Sequence, residues 1–142
     1  MRQLSLFETD QSAELAMLMA NVKSAMNRAA SRCGLSRDEI VDRMNQIARS
    51  AGISLSRGNA KSVTLATLEK WLNPANTEHQ PSILAVNVFC TAVKSVEPLA
   101  AMLRPHGCGV MTPQDKKLRD YADAILAERE AKKRKKQLEL KL

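Results

Sequence analysis

Apolar residues recur along this chain at intervals of three and four, the spacing of a single helix face. The first stripe reads Leu15, Leu18/Met19, Val22, Met26, Ala29 and Cys33. Thr9, Asp10 and Ser12 stand ahead of it as N-caps, and Gly34 follows it as a C-terminal stop. Ser36-Arg37-Asp38-Glu39 has the S-x-x-E form of a capping box and predicts a second helix. Its inward face is Ile40, Val41, Met44, Ile47, Ala48 and Ala51, and Gly52 ends it. Residues 53–62, ISLSRGNAKS, carry Ser, Gly and Asn punctuation and predict a loop, with a short hairpin about Arg57-Gly58-Asn59 as one form of it.

Thr64 caps a third helix with Leu68, Trp71 and Leu72 inward, and Asn73-Pro74 closes it. After the polar loop ANTEHQ, Pro81-Ser82 opens a fourth, with Ile83, Leu84, Val86, Phe89, Cys90 and Val93 inside. Glu97-Pro98 starts a shorter helix bearing Leu99, Met102 and Leu103. Pro105 to Pro113 is a break. Thr112-Pro113 then caps a final helix whose stripe is Leu118, Tyr121, Ala122, Ile125 and Leu126. The alternation of Leu138, Leu140 and Leu142 suits a frayed end.

Few stretches alternate apolar and polar residues as strands do, so the expected fold class is all-α: a small helical bundle plus a C-terminal helix. The expected division is an N-terminal arm over residues 1–11, a helical domain over 12–111 and a helix with a basic tail over 112–142. Aromatic residues make up only 3% of the 142 positions, so aliphatic side chains, Met and Ala must build the core.

The net charge is +7. Residues 115–142 hold ten Lys/Arg against six Asp/Glu. Between residues 20 and 61 stand Lys23, Arg28, Arg32, Arg37, Arg43, Arg49, Arg57 and Lys61, with Asp38, Glu39 and Asp42 in the same stretch. A basic surface of that kind suits a polyanion such as nucleic acid. The run KKRKK at 132–136 has two readings, non-specific DNA contact through counterion release or a soluble, charged helix end.

Other chemistries find little footing. Cys33, Cys90 and Cys108 are odd in number and far apart, which argues against a disulfide framework. His106-Gly107-Cys108 offers two metal ligands without a second close pair, so no metal or other cofactor is expected. No apolar run reaches membrane-spanning length and no signal peptide is evident, which points to a cytoplasmic protein. His79 and His106 lie in loops with no arranged nucleophile, and no glycine-rich phosphate loop occurs. An enzyme is not expected.

Three blocks together carry a resemblance. Ser36 to Asn45, SRDEIVDRMN, resembles the first helix of a lambda-repressor-like helix-turn-helix unit. Val63 to Leu72, VTLATLEKWL, resembles its recognition helix, and Pro81-Ser82-Ile83-Leu84 resembles the opening of the helix that follows. The resemblance spans residues 36–103 and departs from the family at two points. Asn45 stands where the turn glycine is usual, and residues 46–62 enlarge the turn.

That resemblance implies a phage- or prophage-type transcriptional regulator that binds double-stranded DNA with helix 64–73 in the major groove, acting as a homodimer on paired half-sites. The family's base-reading positions fall on Thr64, Leu65, Ala66, Glu69 and Lys70. Leu65 and Ala66 suit thymine methyls, so Thr64, Thr67 and Lys70 are expected to carry the polar contacts. Arg57 and Lys61, in the enlarged turn, are the expected phosphate contacts. Trp71 shares its spacing with Leu68 and Leu72, which places it in the core and not on a base-stacking platform. Helix one and residues 112–130 are the candidate dimer surfaces.

Near the start, Gln3-Leu4-Ser5-Leu6-Phe7 is similar to the peptide by which bacterial DNA polymerases and repair proteins dock on the sliding clamp. It implies Gln3, Leu4, Leu6 and Phe7 as partner-binding residues. The competing expectation is that Leu6 and Phe7 fold back on helix one as a hydrophobic staple.

Overall fold

The computed structural model describes residues 6–56 and 62–142, with the backbone alone for residues 6–9. Its elements are α1 (Leu6–Ala16), α2 (Leu18–Arg32), α3 (Arg37–Ala51), α4 (Leu65–Leu72), α5 (Ile83–Val93), α6 (Glu97–Leu103), a 3-10 turn (Arg104–His106) and α7 (Pro113–Glu139). The described residues are all-helical, without a strand. They fall into two units, divided between Val110 and Met111.

In the first unit, α2 packs on α6, α4 and α5, and α3 packs on α4 and α5. Val22 and Met26 of α2, Ile40 and Met44 of α3, Leu68 of α4 and Phe89 of α5 are fully or almost fully buried in one shared core. The expected capping box is formed: Ser36 Oγ accepts the Glu39 N–H at 3.1 Å and Glu39 Oε1 accepts the Ser36 N–H at 3.4 Å. Gly52 closes α3 at φ +68°, a left-handed conformation that costs glycine little. As the apolar stripe predicts, α3 runs on into the enlarged turn as far as Ala51, although Ala51 itself, expected on the inward face, is exposed.

Two further expectations are corrected. Helix one starts at Leu6, so Asp10 and Ser12 lie inside α1, and it breaks at Met17 (φ −95°, ψ 2°), where no side chain supplies a cap. The ladder nevertheless bridges the break, with Met17 N–H on Ala13 O at 3.2 Å and Asn21 N–H on Met17 O at 2.9 Å. Leu15, expected inside, is exposed, as is every residue from Asp10 to Met17.

Ile83 and Leu84 were also expected inside, yet Ile83 is 76% exposed. Ser82 caps α5 by accepting the Ala85 N–H, and burial begins only at Ala85, so the first turn lies outside the core. The α7 helix takes in Leu138 and ends at Glu139, so Leu140 and Leu142 lie past its last turn, as the alternation suggests.

The second unit is α7 itself. Thr112 and Asp115 form a reciprocal capping box, with Pro113 in the first turn. None of its residues is buried.

Candidate nucleic-acid interface

The residues expected to read DNA lie on α4, and the fold fixes both ends of that short helix. At its start, Asn45 of α3 pairs with the backbone of Val63. Its Nδ2 donates to Val63 O at 2.9 Å, and its Oδ1 accepts the Val63 N–H at 2.8 Å. Residue 63 is buried, so the chain returning from the enlarged turn is bound to α3 one residue ahead of the cap. Thr64 then caps α4, its Oγ1 accepting the Thr67 N–H at 3.2 Å.

At the far end, the Lys23 ammonium of α2 sits beneath the carbonyls that leave α4. It donates to Asn76 O at 2.5 Å and His79 O at 2.6 Å, and lies 3.2 Å from Lys70 O and 3.4 Å from Asn73 O. Lys23 is 1% exposed. It was expected on the basic surface and is instead part of the core. Burial pulls its ammonium below the usual lysine range, while the carbonyls around it favour the charged form.

Between these anchors Leu68, Trp71 and Leu72 are buried. Thr64, Leu65, Ala66, Glu69 and Lys70 are exposed, and Thr67 is half-buried. The Thr64 and Thr67 hydroxyls lie 3.1 Å apart, so both are engaged in the cap as well as facing outward. A cleft of about 490 Å³ adjoins this face, lined by Leu55, Thr67, Trp71, Glu78, His79, Gln80, Pro81 and Ser82. Trp71 lines its wall yet is 5% exposed, too little for a base to stack on.

Several of the remaining cations have partners within the fold, though Arg28, Arg32 and Arg43 stay exposed. Arg28 Nε and one Arg32 nitrogen lie 3.2 and 3.7 Å from Glu97 Oε1, an ion pair tying α2 to α6. Arg37 donates to Asn27 Oδ1 at 3.0 Å, and Arg43 approaches Ala92 O, near the end of α5, at 3.5 Å. With Lys23, five of the eight basic residues between 20 and 61 therefore have partners inside the fold. Arg49 is exposed. Arg57 and Lys61, with the suggested hairpin at 57–59, lie outside the described residues. On α7, residues 132–136 are exposed, and Lys132 Nζ pairs with Glu128 Oε1 at 3.1 Å.

At the N-terminus, Gln3 and Leu4 lie outside the described residues, as do the side chains of Leu6 and Phe7. Among the described residues no three His, Cys, Asp or Glu side chains converge as a metal site. No described helix is long and apolar enough to cross a membrane.

Two structural residues escaped the sequence reading. Lys23 lies on the same side of α2 as Met26 and Ala30, three and seven residues on, so helical spacing alone places it inward; its charge masked that signal. Asn45 was legible only as a departure from the family's turn glycine. Comparison of the chain with protein-family models, curated proteins and solved structures finds no match.

Proposed function

We propose that this protein binds double-stranded DNA with a sequence preference, as a phage- or prophage-type transcriptional regulator, presenting the exposed face of α4 to the major groove. The observation that carries this reading is the division of α4. Leu68, Trp71 and Leu72 are held in the core, while Thr64, Leu65, Ala66, Glu69 and Lys70 are exposed together on a helix anchored at both ends. A groove-reading helix needs that combination of a free short-chain face and a rigid seat.

Readout in this proposal is modest. Lys70 hydrogen-bonds base edges or phosphate, the threonines add short contacts, and Leu65 and Ala66 meet thymine methyls. Lys23 is withdrawn from phosphate by burial, whereas Arg28, Arg32 and Arg43 keep exposed side chains and add to the attraction from Lys70, Arg49, Arg57, Lys61 and the run at 132–136. Two copies acting on paired half-sites supply the affinity that one eight-residue helix lacks. The mechanism is operator occupancy without catalysis. A gel-shift titration at several salt concentrations tests it. Steep salt dependence with a preferred duplex sequence supports the regulator, and binding indifferent to duplex sequence counts against it.

A second reading, an adaptor docking on a replication partner such as the sliding clamp through residues 3–7, draws on α1. The described side chains of that helix, Asp10 to Ala16, and of Met17 after it are all exposed, so this stretch contributes nothing to the core. Deleting residues 1–8 separates the two uses of the segment. Unchanged thermal stability with lost clamp binding supports docking, and lost stability supports a staple.

A further inference from the structure

We propose that residues 70–79 form a carbonyl-lined site for a monovalent cation, filled by the protein's own Lys23, and that this tethered cation positions α4. The bonds are backbone carbonyls throughout: Lys70 and Asn73 from the end of α4, Asn76 and His79 from the loop beyond. An ammonium has three protons for four oxygens, so the short contacts to Asn76 and His79 take one each and the longer pair share the third. A buried cation is costly unless its water shell is replaced, and a ring of carbonyl oxygens is the means by which proteins hold potassium.

The loop is built to turn its carbonyls inward. Asn73 Oδ1 accepts the Ala75 N–H at 3.0 Å, and Asn76 Oδ1 accepts the N–H groups of Glu78 and His79 at 3.1 and 2.9 Å. Side-chain oxygens thus satisfy these three donors locally, while Asn73 O and Lys70 O also accept the N–H groups of Asn76 and Asn73 at 3.1 and 3.4 Å, in keeping with their longer contacts to Lys23. The carbonyl end of α4 adds the negative pole of a helix. Lys23 itself has no route to a phosphate at 1% exposure, so its part is to seat the helix and the loop, not to touch a ligand. That the seated surface binds duplex DNA rests on the reading above; the cage does not.

Lys23→Ala removes Cγ, Cδ, Cε and Nζ, the four heavy atoms of propylammonium. Thermal unfolding is followed in propylammonium chloride and, at equal ionic strength, in tetramethylammonium chloride, which has no N–H to donate. In tetramethylammonium the variant is expected to melt roughly 10 °C below the wild type. Propylammonium restores it with a saturable dose dependence, while the wild type is indifferent to the exchange. A variant as stable as the wild type, or equal effects of the two salts, overturns the cage.

Should the variant not fold, nitrogen NMR of the wild type decides instead. A protected Lys23 Nζ signal with couplings to the carbonyl carbons of Asn76 and His79 supports the cage, and the lack of such a signal overturns it. Positioning is tested on a mixed-sequence duplex of about 30 bp, long enough for two half-sites. Duplex affinity should fall in Lys23→Ala and return with propylammonium; wild-type affinity in the unrescued variant overturns the positioning role. If the wild type itself ignores the duplex, the DNA reading fails and the melts still judge the cage.

Discussion

The side-chain amide of Asn45 and the peptide group of Val63 satisfy each other in both directions, at 2.9 and 2.8 Å. One side chain thereby does for the returning loop what a neighbouring strand would do, and it joins α3 to the start of α4. Replacing Asn45 by Ala leaves a buried N–H and C=O without partners. We expect Asn45→Ala to lower stability by about 2–3 kcal/mol. Urea unfolding checks this, with the midpoint falling at an unchanged slope. Asn45→Asp, which loses the donor and sets a charge against the Val63 carbonyl, should cost at least as much.

Lys94 closes α5 at φ +56°, the one described non-glycine residue with a positive φ. Its backbone N–H bonds Cys90 O, so the left-handed conformation is needed while the side chain, which is exposed, is not. Lys94→Gly should therefore raise stability by about 0.5–1 kcal/mol. Paired thermal melts read the gain.

Burial pushes the Cys90 thiol up to about 11 from 9.0, against a weaker opposing pull from the Leu99 backbone. The unfolded chain then ionises at a lower pH than the folded one, so stability present below pH 9 is lost as pH rises toward 11. The loss relative to Cys90→Ala should be on the order of 2 kcal/mol across that window. At pH 8 a thiol reagent should modify exposed Cys108 well ahead of Cys90. Equal rates at the two would contradict the burial.

Most of the helices were legible because each carries redundant signals. The α3 helix has its capping box, its apolar stripe and its terminal glycine, and α4 has a Thr cap and three inward residues that agree with one another. What stayed hidden came from tertiary pairing. Nothing local distinguishes Lys23 from a surface lysine except the helix side it occupies, and its carbonyl partners lie 47 to 56 residues away. Ile83 and Leu84 were misplaced for a related reason: their spacing fits an inward face, but among the described residues of the first unit no element covers the first turn of α5. The α4 face was legible, whereas the internal pairing of Arg28, Arg32, Arg37 and Arg43 was not, since charge along a sequence does not tell which cations find partners.

Asp115 accepts hydrogen bonds from the Thr112 backbone N–H and shares the cap with the Thr112 hydroxyl, which holds its carboxyl below the usual aspartate range. A depressed pKa means cap stability that is present above the ordinary value, near 3.8, and lost as pH falls through the folded one. Asp115→Asn should reduce the helical ellipticity of α7 at pH 7 and converge with the wild type near pH 2. A difference that persists undiminished in acid would contradict the cap.

The most direct test of the central claim is a binding titration against the duplex best retained from a random pool, across a salt series, for wild type, Lys70→Ala and Lys61→Ala. Lys70→Ala should weaken binding to the preferred duplex by about 1–3 kcal/mol and relax the preference, while Lys61→Ala should chiefly flatten the salt slope. Unaltered binding in both variants, or a wild type that retains no sequence over any other, would contradict that claim.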